Sequence, residues 1–355
     1  MIRQIWRLTR PVPALGKGVR AIAVYAHPTQ AGMRQMPAAE AGFEGVACVD
    51  DAARAVLLYT TLWQRYRLPW AREAAIGLLA FVRAMQTGEG TFANFILDWD
   101  GRRNLATTTS MPGDGPWVAR AMHALACGVS AYGDADCAES FSKGLPWLDR
   151  VTPYLDVRAV CVMAALEHWR ATQTHEMLVR ALTWAGEIAD AAHEDVLVDE
   201  VGVAQIHLWG HLQEAALANA GMAFRRPDLI EVARRSTEAA LIPPVEQRFP
   251  GARALPFDVS CVVRGLDAVA AATEEPRYER MASLARDWFD GRNTAAAPVY
   301  DRAAGLVFDG IDAGRVSRNC GAEANIEGAL ALLESLPLHL YEPSPASALA
   351  NGRQP

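Results

Sequence analysis

One pattern constrains this chain more than any other: a helical hairpin that recurs along most of its length. Residues 51–66 (DAARAVLLYTTLWQRY) read as a helix that is apolar almost all round, as a helix buried on every side should be. After a short RLPW link, residues 71–86 (AREAAIGLLAFVRAMQ) place Ala74, Leu78, Phe81, Val82 and Met85 on one stripe, with Arg72, Glu73, Arg83 and Gln86 off it. That spacing predicts an amphipathic helix. The pair returns at 117–132 and 137–148, at 157–169 and 176–191, at 211–224 and 229–241, and at 259–272 and 278–289. A sixth helix of the first kind spans 321–336. Its partner comes from the N-terminal segment or is missing.

A repeat of this length points to a helical-repeat architecture rather than to two unrelated domains. An open solenoid exposes apolar surface at both ends and carries polar capping repeats. Here every first-type helix is apolar all round, which suits a closed ring whose inner helices never meet solvent. The expected fold is therefore all-α, an (α/α)6 toroid, with an open solenoid as the alternative. The expected organisation is an N-terminal segment, 1–41, packed on a toroid of 42–340, followed by a disordered Pro/Ser/Ala-rich tail, 341–355. Links within a hairpin are short, whereas those between hairpins include 87–116, 193–205, 242–257 and 292–320. In a toroid all of these fall on one face, at the N-termini of the inner helices. Long ordered loops tend to carry function, so the site is expected to be a funnel on that face.

The acids cluster at the same positions. Asp50 and Asp51 open the first inner helix, Asp114 precedes the second and Asp156 opens the third. Asp199 and Glu200 precede the fourth, Asp258 opens the fifth and Glu323 the sixth. Each alone reads as an N-cap, but two adjacent acids followed by Arg54 exceed what a cap needs. A helix N-terminus favours an ionised carboxylate, and a second carboxylate nearby is pushed toward the protonated form. These are the two roles that glycosidic bond cleavage requires. Asp50, Asp51, Asp114 and Glu323 are accordingly the candidate catalytic acids. Trp99, Trp117 and Trp209 are candidate sugar-stacking residues. His207 and His211, at i and i+4, are candidate sugar contacts. The spacing also matches two zinc ligands, but Leu208 stands where an HExxH motif has glutamate, so no metal is expected.

The remaining composition narrows the classes. The chain has 34 basic and 41 acidic residues, a net charge of −7, and only two lysines, Lys17 and Lys143. No basic stripe suited to nucleic acid is present. The six cysteines are scattered singly, four of them in apolar helical runs, and read as small buried hydrophobes. The first ten residues, MIRQIWRLTR, lack the apolar core of a signal peptide, and no stretch approaches ~18 apolar residues. The expectation is a soluble cytoplasmic protein with no membrane partner. Neither GxGxxG after a strand nor G-x-S-x-G occurs, so no cofactor is expected.

At GFEGVACVDDAARA (42–55) the chain resembles the bacterial six-hairpin glycosidase-like proteins. In particular it is similar to a toroid domain, found alone or joined to glycosyltransferases, whose hallmark reads G-Y-C-x-D-D-N-A-R-A-L. Three further stretches agree in order: GTFANFILDWDG followed by PGDGPWVARAMHAL, then VYDRAAGLVFDGI, then SRNCGAEANIEGALALL. The resemblance covers roughly 42–336. It implies functional roles for Asp50, Asp51, Arg54, Asn94, Asp114, Asp309 and Glu323. The chain departs from the pattern at Ala53, where Asn is usual, and at Cys320 and Ala324, where Ser is usual. The expected function is a carbohydrate-active enzyme that hydrolyses or transfers a glycosidic bond of a saccharide. The alternatives are a non-catalytic saccharide-binding toroid and a sugar epimerase or isomerase using His207 and His211.

Overall fold

The computed structural model describes residues 1–29, 32–35 and 44–333. Its inner helices are α2 (Val49–Tyr66), α4 (Pro116–Tyr132), α6 (Leu155–Thr172), α8 (Gln213–Phe224), α11 (Pro256–Thr273) and α13 (Ala322–Leu332). Each packs on the next, and α13 returns to α2, so the ring is closed. The outer layer is α1 (Ile2–Leu8), α3 (Pro69–Ala84), α5 (Ala135–Leu148), α7 (His175–Asp190), α9 (Pro227–Ser236), α10 (Ile242–Glu246) and α12 (Pro276–Arg286). Helix α9 runs into α10 through a single π turn, Thr237–Leu241. The fold is an (α/α)6 toroid.

The open question of the sixth pair is answered by the N-terminal segment: α1 lies against α13. The expected extension of the sixth helix beyond residue 333, and the tail 341–355, lie outside the described residues. The inner helices bury side chains around most of their circumference, as in α4, where Trp117 to Ala119 and Ala121 to Gly128 are all buried. All six cysteines are buried free thiols, and burial pushes each thiol upward, which makes them inert packing groups.

The hairpins share one turn. The residue that ends each of the first five inner helices is left-handed: Arg67 (φ 54°), Gly133 (62°), Gln173 (55°), Arg225 (56°) and Glu274 (57°). Two residues later the outer helix begins, three times on proline. Only one of the five is glycine, so four side chains occupy a conformation that disfavours them. Glu274→Gly is therefore expected to raise stability by about 0.5–1 kcal/mol, read as a higher denaturation midpoint.

Short strands absent from the sequence reading stitch the long loops together. Antiparallel pairing joins Ala47–Cys48 to Phe95–Ile96, Ile311–Asp312 to Arg253–Ala254, and Ile311–Asp312 to Arg315–Val316. Loop backbone buried at the mouth of the ring needs hydrogen-bond partners, and these ladders provide them. Gly310 permits one of them: its φ is +132°, and a Cβ there would meet the Ala254 carbonyl oxygen at 2.4 Å.

Candidate active site

Where the six inner helices begin, the loops enclose a funnel of about 880 Å³. Every inner helix, or the residues just before it, contributes to its wall: Asp50, Pro116, Asp156, His207, Asp258 and Glu323 among others.

The first helix start is built by its neighbours. Cys48 Sγ accepts the Asp51 N–H, and the Asn94 side-chain oxygen accepts the Asp50 N–H at 3.2 Å. Asn94 Nδ2 donates to Thr109 O. Asn94 is thus a buried cap that anchors the 87–115 loop, behind the funnel wall rather than in it. One turn into α2, Arg54 gathers four carboxylates. Its Nη2 donates to Asp50 (3.2 Å), Asp51 (2.9 Å) and Glu323 (3.0 Å), and its Nη1 to Glu327 (3.1 Å). Arg120, one turn into α4, pairs with the other Asp50 oxygen at 2.5 Å. Both guanidinium groups lie over the Phe257 ring, at 4.8 and 5.6 Å.

The two arginines act unequally on Asp50 and Asp51. Burial opposes ionisation of Asp50, but Arg120 and Arg54 outweigh it and hold its carboxyl below the usual range. Asp51 sits behind Asp50. Burial pushes it up to about 7 against the pull of Arg54, with Glu323 and Asp50 adding to the rise. Glu323 faces the opening with its side chain 46% exposed. One oxygen stays on Arg54.

On the helix packed beside that of Glu323, Asp258 caps α11 by accepting the Leu255 N–H at 2.7 Å. Burial raises its pKa, that bond opposes the rise and Glu323 adds to it. Asp156 at the start of α6 is also raised, chiefly by burial. The funnel wall thus holds two acids shifted toward the protonated form, Asp258 and Asp156, and one carboxylate, Asp50, shifted toward the ionised form.

The two histidines have separated roles. His207 lies in the wall, stacked on Trp209 with ring centroids 3.8 Å apart. His211 is 1% exposed. Its Nδ1 is 2.7 Å from Asp199 and its Nε2 3.1 Å from Glu214. Asp199 in turn accepts the His207 N–H at 2.7 Å. Both ring nitrogens of His211 are thus committed to carboxylates, and this cluster holds the loop that carries His207 and Trp209. Burial opposes the imidazolium, yet Glu214 and Asp199 raise its pKa to about 10. A raised histidine stabilises the fold fully below its ordinary value of 6.5 and loses that contribution as pH rises through about 10. Wild-type stability is accordingly expected to fall between those limits, and the fall to flatten in His211→Gln, followed by urea denaturation at stepped pH.

The other sequence candidates stand elsewhere. Asp114 is exposed and borders a shallow hollow with Trp147 and Arg150, apart from the funnel. Trp117 is buried and donates its indole N–H to Phe92 O at 2.8 Å. Trp99 packs under Arg10, 4.5 Å from ring centroid to guanidinium carbon. Asp309 accepts the Gly321 N–H at 2.8 Å, ordering the start of α13, and burial raises its pKa to about 6. Its place is beneath Glu323 rather than in the wall. Sequence reasoning missed Arg120, whose only signal was its place one turn after Pro116. It also missed Phe257 and the exposed Tyr154, which line the funnel. Among the described residues no group of three or more His, Cys, Asp or Glu is arranged to hold a metal ion, and no helix is long and apolar enough to cross a membrane.

The sequence matches no family model and none of the curated proteins. Solved structures do match. A cellobiose 2-epimerase from Spirochaeta thermophila is similar at TM-score 0.67 and 14% identity, covering 93% of this chain and 92% of that one. A sugar epimerase from a ruminal bacterium is similar at TM-score 0.65 and 11% identity, over 94% and 96%. A family 76 glycoside hydrolase from a bovine Bacteroides thetaiotaomicron strain is similar at 0.62 and 10%, over 93% and 75%. At these identities the likeness is one of fold, and it extends around the whole ring.

Proposed function

We propose that the funnel binds a saccharide and that the protein is a carbohydrate-active enzyme that breaks or transfers a glycosidic bond. The observation that carries this reading is that one funnel wall holds Asp258, whose pKa burial raises, Asp50, which Arg120 and Arg54 hold low, and Glu323, half exposed with one oxygen on Arg54. Asp258 is the proton donor to the glycosidic oxygen. Glu323, with one oxygen on Arg54 and the other open to the funnel, acts at the anomeric carbon, directly or through a water. Asp50, Arg54 and Arg120 form the charged floor that fixes Glu323 and orients sugar hydroxyls. Tyr154 and Trp209, each about half exposed, offer ring faces to the apolar side of a sugar. The fold neighbours include a sugar epimerase, a cellobiose 2-epimerase and a glycoside hydrolase, which supports a saccharide as the ligand class.

The test is a thermal-shift screen of oligosaccharides with product analysis of each hit. Glu323→Gln is expected to keep the shift and to abolish the product. Ligands that bind and are never cleaved, by wild type as by Glu323→Gln, would instead favour a saccharide-binding toroid.

One observation favours a second reading. His207 stands partly buried in the funnel wall with its Nδ1 2.7 Å from the Trp209 carbonyl oxygen, so the other ring nitrogen of a single histidine is available for proton transfer next to a sugar carbon. The two-histidine version of epimerisation has no support, because His211 is sealed between its carboxylates. An epimerase would place solvent deuterium on a sugar carbon and lose activity in His207→Gln, with Asp258→Asn unaffected.

A further inference from the structure

A second cavity, of about 620 Å³, opens at the seam where α1 closes the ring against the loops before α13. It shares none of its lining residues with the funnel, and its chemistry is opposite. The funnel wall is dominated by acids. This cavity is flanked by Arg7 and Arg318, with apolar walls that include Leu306 and Phe308.

Many arginines of this chain meet a carboxylate, as Arg83, Arg102, Arg158, Arg180, Arg286 and Arg302 do. Arg7 and Arg318 do not, among the described residues. Arg7 donates only to the Gln4 side-chain oxygen at 3.4 Å and the Ala304 carbonyl at 3.2 Å. The Arg318 guanidinium lies over the Phe308 ring at 4.8 Å. Asp301, on the same wall, has one oxygen taken by the Ala304 N–H.

An independent feature points the same way. Gln4 lines this cavity and is 1% exposed, and its Nε2 has no hydrogen-bond partner. A buried amide N–H without an acceptor is destabilising, and native proteins retain few of them. A turn of the Gln4 side chain toward the cavity would bring that N–H to an acceptor supplied by a ligand and remove the penalty. Two guanidinium groups and an amide donor beside apolar side chains make a site for an oxyanion attached to an apolar body.

We infer that this cavity is a second ligand site, taking a small organic anion with its oxyanion on Arg7, Arg318 and Gln4 and its body against Leu306 and Phe308. Its volume falls in the range of small-molecule pockets. The inference is independent of the reaction in the funnel.

Calorimetric titration of the full-length protein with phenyl phosphate, phenylacetate and the uncharged benzyl alcohol tests it. At least one oxyanion is expected to bind and the alcohol not to. The tighter of the two anions then distinguishes a phosphate monoester from a carboxylate as the natural class. Binding is expected to weaken about tenfold or more in Arg318→Ala and in Gln4→Leu. Gln4→Leu removes the orphaned amide, so its melting temperature is expected to equal or exceed that of wild type. Arg318 is exposed, so its variant stays folded and informative whatever Gln4→Leu does. The inference is overturned if neither anion binds at about 10 mM, or if Arg318→Ala binds as tightly as wild type.

Discussion

Asp258→Asn is expected to lower turnover of a cleavable saccharide by about 10²–10⁴-fold while leaving saccharide binding within a few-fold. The reason is specific to this position. Burial, opposed by the Leu255 N–H and reinforced by Glu323, biases Asp258 toward its protonated form, the form a proton donor needs. Asparagine keeps an oxygen for the Leu255 N–H that Asp258 now accepts, so the start of α11 remains capped and the loss cannot be assigned to unfolding. The loss should also depend on the leaving group. An aryl glycoside that departs without protonation is expected to recover most of the rate in Asp258→Asn, whereas an alkyl glycoside or a sugar leaving group recovers none. Equal losses on both substrates would assign Asp258 to binding or to capping.

The second large effect is on stability. Arg54→Met is expected to destabilise the protein by about 3–5 kcal/mol, read from urea denaturation. Arg54 is the partner of Asp50, Asp51, Glu323 and Glu327 at once. Glu327 has a fully buried side chain, and its second oxygen already lacks a partner. Methionine keeps most of the bulk beneath Phe257 and removes the charge, so the loss reports unpaired buried carboxylates rather than a cavity. Adding Glu327→Gln to Arg54→Met is expected to recover part of the loss, because the two sites share one interaction. Additive effects of the two substitutions would contradict this account of the floor.

The ring itself was legible because the requirement it imposes is written in periodicity. Helices such as 117–132 are apolar all round only if protein covers them on every side, and five such helices with amphipathic partners leave few arrangements. The face of the ring that carries the site followed from loop length and from acids at helix starts, and Asp50, His207, Trp209 and Glu323 do line the funnel. What remained hidden depends on distances across the ring. Asn94 and Asp309 carry polar side chains in long loops and so resemble ligand contacts, yet each is spent on a backbone N–H at a helix start. Trp117 was ambiguous between core and site, and its indole N–H is satisfied inside the fold. Asp114 precedes α4 much as Asp258 opens α11, but α4 begins with Gly115 as its cap and turns that acid outward. His207 and His211 share the i, i+4 spacing of a ligand pair, but His211 is taken by Asp199 and Glu214, which lie 12 positions before it and 3 after it. Arg120 had no local mark at all, since its importance comes from Asp50 on another helix.

The most direct test of the central claim is proton NMR of the wild-type protein in D2O with an oligosaccharide that raises its melting temperature. The account expects the anomeric signal of the glycosidic linkage to disappear, with no deuterium entering the sugar carbons, and expects that change to be lost in Asp258→Asn and Glu323→Gln. Deuterium appearing at a sugar carbon while the linkage stays intact, lost in His207→Gln and kept in Asp258→Asn, would contradict it.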